Sequence, residues 1–394
     1  MGSAKATLVT SFWLLCVCAA GGLVAWATNW LALIPWRRAK DAHWTERARL
    51  LFPVRASAAW NVYLITANIV LASRLISPES PPWWATALAA WLGVLAASRF
   101  VARETIPRLT LRDWLGEVAL AWVLYFANWF ILLTAIAIVP AKYHWSAWVV
   151  AAGVAALQAF NVWYGSIWLS RKLGLLRPAP EHLRNLVDQV AARAHIKVKR
   201  VWTFRNSTAN AFASPHTGDI VFTDRALALL PDDEIAAVCA HELGHLAETR
   251  WVCLGRYLAS LAWLPWVFVR PVWSAVGIGG VIGLGALTYF VGYLMGQQSR
   301  LLEAQADRTA RITENQDGAF ARALSRLYED NQTPAVLSAN RYSHPSLYDR
   351  LLAAGITPDY PRPQPAEAST WGRYFLTATL IVLVLVTLQN WPEV

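Results

Sequence analysis

A chain of 394 residues that is 56% hydrophobic and only 15% charged, with a mean hydropathy of +0.34, is too apolar for a water-soluble globular domain and reads as a polytopic membrane protein. Its formal net charge of +10 does not point to nucleic acid, because the basic residues sort by loop between apolar runs instead of gathering in a soluble module or among base-stacking aromatics. The four cysteines, Cys16, Cys18, Cys239 and Cys253, make no disulfide framework and read as small apolar packing residues.

Windows of about 18–25 mainly apolar residues, long enough to cross a hydrocarbon core about 30 Å thick, fall near residues 8–35, 57–76, 83–98, 116–139, 147–169, 252–269, 274–296 and 373–390. The expected architecture is therefore mainly α, a polytopic helical membrane protein of about eight spans. The first apolar run, Leu8 to Trp36, is too long for a signal-peptide core and is followed by no small-residue cleavage pattern, so it is expected to stay as an anchor. Trp36, Trp83, Trp84, Trp145, Trp148 and Trp391 fall at predicted span ends, where indole prefers the membrane interface. Arg37, Arg38, Lys40, Arg47, Arg49 and Arg55 lie between the first two spans, and Arg99, Arg103, Arg108 and Arg112 between the third and fourth. The alternate short connections hold chiefly Lys142 and Arg270. The positive-inside rule then makes the Arg-rich loops cytoplasmic and both termini external.

Polar sequence interrupts the spans twice, which divides the chain into N-terminal membrane helices (1–169), a first polar segment (170–251), a membrane helix pair (252–296), a second polar segment (297–372) and a last membrane helix (373–394). In the first polar segment "APEHLRNLVDQVAARAHI" has helical apolar spacing. "KRVWTFR", "ANAFASP" and "DIVFTDR" read as short strands, with "HTGD" a turn between the last two. "LLPDDEIAAVCAHELGHLAETR" follows as a helix, with Pro231, Asp232, Asp233 and Glu234 in its first turn, where acids suit the helix dipole. The second segment reads as helix from Gln297 to about Asp330 and ends in a proline-rich linker, "PDYPRPQPAEA". A small α+β module is thus expected within a helical bundle.

Histidines four apart share one face of a helix, so His241 and His245 can present imidazole nitrogens to a single metal ion. Glu242 points near the same place without being a ligand, and a carboxylate there can take a proton from metal-bound water and pass it to a leaving amine, as in zinc peptidases with H-E-x-x-H. A catalytic zinc takes three protein ligands and keeps one open position. "QQSRLLEAQAD" supplies the third, with Glu303 as a carboxylate ligand and Asp307, four residues on, placed to orient a ligating histidine. Acidic pairs at that spacing are more often solvated helix faces, so the pair acquires meaning only beside HELGH.

"ANAFA" at 209–213, HELGH, the block Ser299–Asp307 (S-R-x-x-E-x-x-A-D) and "YSHPSLYDR" from Tyr342 to Arg350, in this order and with the last three interleaved with spans, resemble the integral-membrane zinc metallopeptidases (gluzincins) that include the HtpX heat-shock protease and the CAAX prenyl-protein endopeptidase. The resemblance is dense from Val201 to Arg350, while the first five spans match in general character alone. It implies a zincin-like peptidase module with one Zn²⁺ held by His241, His245 and Glu303, and Glu242 as general base and acid. It further implies His344 as an oxyanion donor supported by Arg350, Asp307 orienting a ligand, and Asn210 and Ala211 on an edge strand where a peptide substrate adds by main-chain hydrogen bonds. Taken by themselves, a histidine before proline is more often structural, and Arg350 reads equally well as a surface or ion-paired residue.

Both ligand sets lie within about ten residues of a span, which at about 1.5 Å per helical residue places the site within roughly 15 Å of the bilayer. An even number of crossings must separate His245 from Glu303, since a single span would put them in opposite compartments. The expected protein is a multi-pass zinc endopeptidase of a bacterial inner membrane, its site cytoplasmic and its substrate a membrane-associated polypeptide. A CAAX prenyl-protein endopeptidase and a non-enzymatic scaffold or sensor on the same fold are the alternatives; the "NWPEV" end, without a recognisable retention signal, favours quality control over prenyl processing, and intact ligands with Glu242 argue against a scaffold. A transporter is disfavoured because the spans lack paired buried charges.

Overall fold

The computed structural model describes residues 2–77, 81–122, 127–314, 316–338 and 345–367. The chain forms two compact units, one of Met1–Thr110 with Gln332–Ser338 and Tyr360–Val394, the other of Leu111–Asn331 with Ala339–Asp359.

The first unit contains α1 (Gly2–Ala32), α2 (Ile34–Arg38), α3 (Trp44–Ile76) and α4 (Trp83–Thr105). In lipid the apolar surface gives helices little drive to associate, so close van der Waals approach at small residues does that work. Here α1 and α4 nearly touch by their backbones: a Cβ added to Gly21 would lie 2.7 Å from the Ala90 carbonyl oxygen. Ala25, Ile65, Val94 and Ala97 form the core behind that contact. α3 is two limbs, Trp44–Ala58 and Asn61–Ile76, meeting at 49°.

The second unit begins with α5 (Leu111–Ala121), α6 (Ala127–Ile138), α7 (Ser146–Phe160), a π-helical turn at Asn161–Gly165 and α8 (Ser166–Lys172). There follow β1 (Leu176–Pro178), α9 (Glu181–Ala194), β2 (Arg200–Phe204), β3 (Ala211–Ser214), β4 (Asp219–Thr223), α10 (Asp224–Leu229) and α11 (Asp232–Leu246). The four strands make a mixed sheet in the order β1-β2-β4-β3, parallel only between β2 and β4, which leaves β3 at an edge. β4 is buried along its whole length, and the carboxylate of its Asp219, fully buried, is held by Arg200 at 2.8 and 2.9 Å. Three strands and the two longer helices of this segment, α9 and α11, follow the sequence pattern, while the short α10 was not expected. Nor was β1, because three residues including a proline carry no alternation to read.

α12 (Arg250–Ser260), a 3₁₀ turn at Leu264–Phe268 and α13 (Val269–Val276) run as one broken apolar segment, and α14 (Ile278–Thr313) returns. The whole connection is Gly277, at φ 65° and ψ −149°, a region that residues with a Cβ avoid. α14 then continues past its apolar part without a break for 36 residues, and the helix expected from Gln297 to about Asp330 is in fact the end of α14 followed, after Thr313, by α15. α15 (Ala319–Asp330) and α16 (Leu347–Ala353) complete the unit.

Among the described residues four helical segments are long and apolar enough to cross a membrane: Thr7–Ala32, Trp83–Thr105, Arg250–Val276 and Ile278–Thr313; the bent α3 pair is a fifth. The fourth and fifth expected spans correspond to α5 with α6, and to α7 with its π turn, helices too short to qualify singly. The expected eighth, 373–390, lies outside the described residues.

Candidate metal centre

The site is assembled where α11 crosses α14, and the crossing is close because of Gly244. A Cβ at that position would stand 2.8 Å from Ala306 Cα and 3.1 Å from Ala306 Cβ. Ala306 and Ala310 of α14 and Ala240 and Leu243 of α11 are buried around this contact. The absence of a side chain on one helix and its smallness on the other let the donors on either side of the contact converge.

His241 Nε2 lies 3.6 Å from Glu303 Oε2 and His245 Nε2 lies 3.5 Å from Glu303 Oε1. One atom from each of these three residues falls within 4.8 Å of the others. Ligands about 2.0–2.1 Å from a tetrahedral ion stand about 3.4 Å apart, so the donor set fits a small divalent cation. Each imidazole is turned by a carboxylate on its other nitrogen: His241 Nδ1 is 3.0 Å from Asp307 Oδ1, and His245 Nδ1 is 3.0 Å from Glu248 Oε1. Such partners hold the Nδ1–H tautomer and leave Nε2 free to bind metal.

Charge around the pocket favours a cation. Burial pulls the His241 imidazole down, but the carboxylates of Asp307 and Glu303 beside it more than compensate and leave it at about 9. Burial pushes the Glu242 carboxyl up, against the opposing pull of His241 and His245. Arg350, on α16, grips Asp307 with two hydrogen bonds, Nε to Oδ2 at 2.8 Å and Nη2 to Oδ1 at 2.5 Å. Phe320 of α15 lies flat against His241, with ring centroids 5.4 Å apart and 19° between planes, and the Arg350 guanidinium sits 5.7 Å from the same ring.

β3 runs beside Glu242. The Ala213 N–H donates to the Glu242 carboxylate. Asn210, one residue before the strand, turns its main chain inward: its carbonyl accepts from the Thr223 N–H at 2.9 Å and its N–H donates to Thr223 Oγ1 at 2.8 Å. Because the main-chain groups of successive strand residues alternate in direction, those of Ala211 and Ala213 face the open edge. Asn331 fixes the entry to the strand by bonding both the Ala209 N–H and its carbonyl, at 2.9 and 2.7 Å.

Of the residues singled out from the sequence, His241, Glu242, His245, Glu303, Asp307 and Arg350 come together and Ala211 lies on the adjoining edge strand, whereas Asn210, expected there as a main-chain partner, precedes the strand and has its N–H and carbonyl taken by Thr223. His344 lies outside the described residues. Ala213, Phe320, Gly244 and Glu248 were not read from the sequence; Gly244 alone left a signal, as the small residue inside HELGH.

The model of peptidase family M48 matches residues 179–355, from the start of α9 to the end of α16. The chain is 33% identical to the protease HtpX homolog of Acaryochloris marina over 204 residues, 47% of this chain and 69% of that protein. The chain belongs to peptidase family M48. It is 29% identical to the protease HtpX homolog of Trichormus variabilis over 203 residues, 45% of this chain and 69% of the relative, and 31% identical to that of Aeropyrum pernix over 175 residues, 39% and 54%. With its apolar helices, this M48 member is a membrane metalloprotease of the HtpX type, acting on polypeptides. The matched region holds every site residue above.

The α11–α14 contact makes a direct prediction. Gly244→Ala puts a methyl group into the Ala306 backbone, so the helices must part; the expected costs are about 1–3 kcal/mol of stability and a metal affinity about tenfold weaker, read by denaturant unfolding and by metal titration.

Proposed function

We propose that the protein is a zinc endopeptidase that cleaves membrane-associated polypeptides at the cytoplasmic face of a bacterial inner membrane, in membrane-protein quality control. The observation that carries the reading is the convergence of His241 Nε2, His245 Nε2 and Glu303 at separations suited to a tetrahedral ion. His241, His245 and Glu303 would hold the zinc, which would supply Lewis acidity toward a scissile carbonyl and acidify a water. Glu242, buried near His241 and His245 and held by the Ala213 N–H, takes the proton from a water at the site and returns it to the leaving amine. An extended substrate pairs with the main chain of Ala211 and with the Ala213 carbonyl on the β3 edge, while Asn210 contributes through its exposed side chain. His344 donates to the developing oxyanion, and Arg350 steadies His241 through Asp307. The Arg-rich loops between the early spans support the cytoplasmic orientation.

Purified protein in detergent should contain one zinc per chain and hydrolyse casein. Chelation should abolish the activity and added zinc restore it; casein cleavage that survives complete zinc removal would overturn the mechanism. An unfolded membrane protein should be cut and a farnesylated CAAX peptide left intact, the reverse pattern assigning the chain to prenyl-protein processing. Similarity to proteins named protease HtpX homolog favours the first outcome.

A further inference from the structure

The two ligand histidines are oriented from different places. The carboxylate on His241 is Asp307, on the helix that also carries Glu303. The one on His245 is Glu248, just beyond the end of α11, with its side chain only 3% exposed. The HELGH pattern requires no acid there, and a carboxylate is buried at high cost unless a cation and hydrogen bonds satisfy it. Arg256 is that cation: its Nη2 donates to Glu248 Oε1 at 2.7 Å, the same oxygen that faces His245 Nδ1 at 3.0 Å. Oε1 is therefore fixed from two sides, by an imidazole and by a guanidinium. Arg256 belongs to α12, which opens the lipid-crossing segment Arg250–Val276. Glu248 occupies the corner between the two helices, immediately before Thr249, whose hydroxyl caps α12 by accepting from the Val252 N–H.

We infer that Glu248 is a positioning residue for the metal, fixing the ring orientation and tautomer of His245, and that Arg256 holds it there from the first helix of the membrane segment. The inference rests on the zinc reading above. A neutral imidazole carries its proton on either nitrogen; an acceptor on Nδ1 removes the tautomer that cannot bind through Nε2. An ion pair that merely tied α11 to α12 would give stability without any effect on the coordination sphere.

The full-length protein in detergent is compared with Glu248→Ala and Glu248→Gln by competing zinc against a chelator and by recording the visible spectrum after cobalt substitution. Glu248→Ala should weaken zinc binding about 10–100-fold and shift the cobalt bands, while Glu248→Gln, whose amide oxygen still accepts from Nδ1–H, should recover most of both. A folded Glu248→Ala with unchanged zinc affinity and an unchanged cobalt spectrum would overturn the inference and leave the zinc reading standing. Wild-type protein that retains no zinc would overturn both. If Glu248→Ala does not fold, the double variant Glu248→Met, Arg256→Met, which leaves no unpaired guanidinium, takes its place with the same two outcomes.

Discussion

Glu242→Gln is expected to lower kcat by about 10²–10⁴-fold, the usual contribution of a general base, while zinc stays bound at one ion per chain. The amide keeps the size of the carboxyl and its carbonyl can still accept from the Ala213 N–H; what it lacks is a basic oxygen. Because Glu242 is no ligand in the proposed arrangement, zinc affinity and thermal unfolding should stay near wild type. Single-turnover cleavage of casein and metal analysis on the same preparation separate the two effects. A Glu242→Gln protein that still cleaves at the wild-type rate would remove Glu242 from the chemistry.

The second large effect is expected at the Asp307–Arg350 pair, whose side chains are 12% and 6% exposed. Removing one member of a buried ion pair leaves its partner charged and without compensation, at a cost of about 3–5 kcal/mol. Asp307→Leu strands the Arg350 guanidinium and also frees His241 Nδ1, so both stability and zinc affinity should fall. Arg350→Leu should cost less, because Asp307 still faces His241 at 3.0 Å. The double variant Asp307→Leu, Arg350→Leu should regain most of the lost stability, since replacing both partners by apolar groups is often neutral, yet recover none of the zinc affinity. Denaturant unfolding together with chelator competition on the three variants tests this; equal destabilisation by the double and the Asp307 single variant would show that the pair is not the coupled unit inferred from its geometry.

How much of this was legible beforehand depends on the range over which each feature acts. The helix of HELGH, its acidic first turn and three of the four strands were readable because periodicity and capping are local properties of Asp232–Leu246, Arg200–Phe204, Ala211–Ser214 and Asp219–Thr223. The pairing of HELGH with Glu303 and Asp307 came from motif order, with spacing showing only that each pair shares a helix face. Phe320 against His241 and Glu248 between His245 and Arg256 were invisible, since each depends on how separate helices pack and neither residue type is unusual at its position. The outward direction of Ala211 and Ala213, and the inward turn of Asn210 toward Thr223, depend on strand register, which one residue of slip would reverse. The membrane helices were harder still: hydropathy located the apolar windows but carried no sign of the π turn after α7, of the bend in α3 or of the single-residue reversal at Gly277.

The unbroken course of α14 ties Glu303, the proposed metal carboxylate, to a helical segment long and apolar enough to cross a membrane. From Ile278 to Glu303 the helix is a rod of about 37 Å, so a pivot of only about 5° at its membrane end sweeps Glu303 through roughly 3 Å, whereas a metal–ligand bond tolerates about 0.2 Å. Catalytic geometry in this enzyme therefore needs a fulcrum, and the bare backbone of Gly244 resting on Ala306 provides one, three residues from the ligand it must keep still.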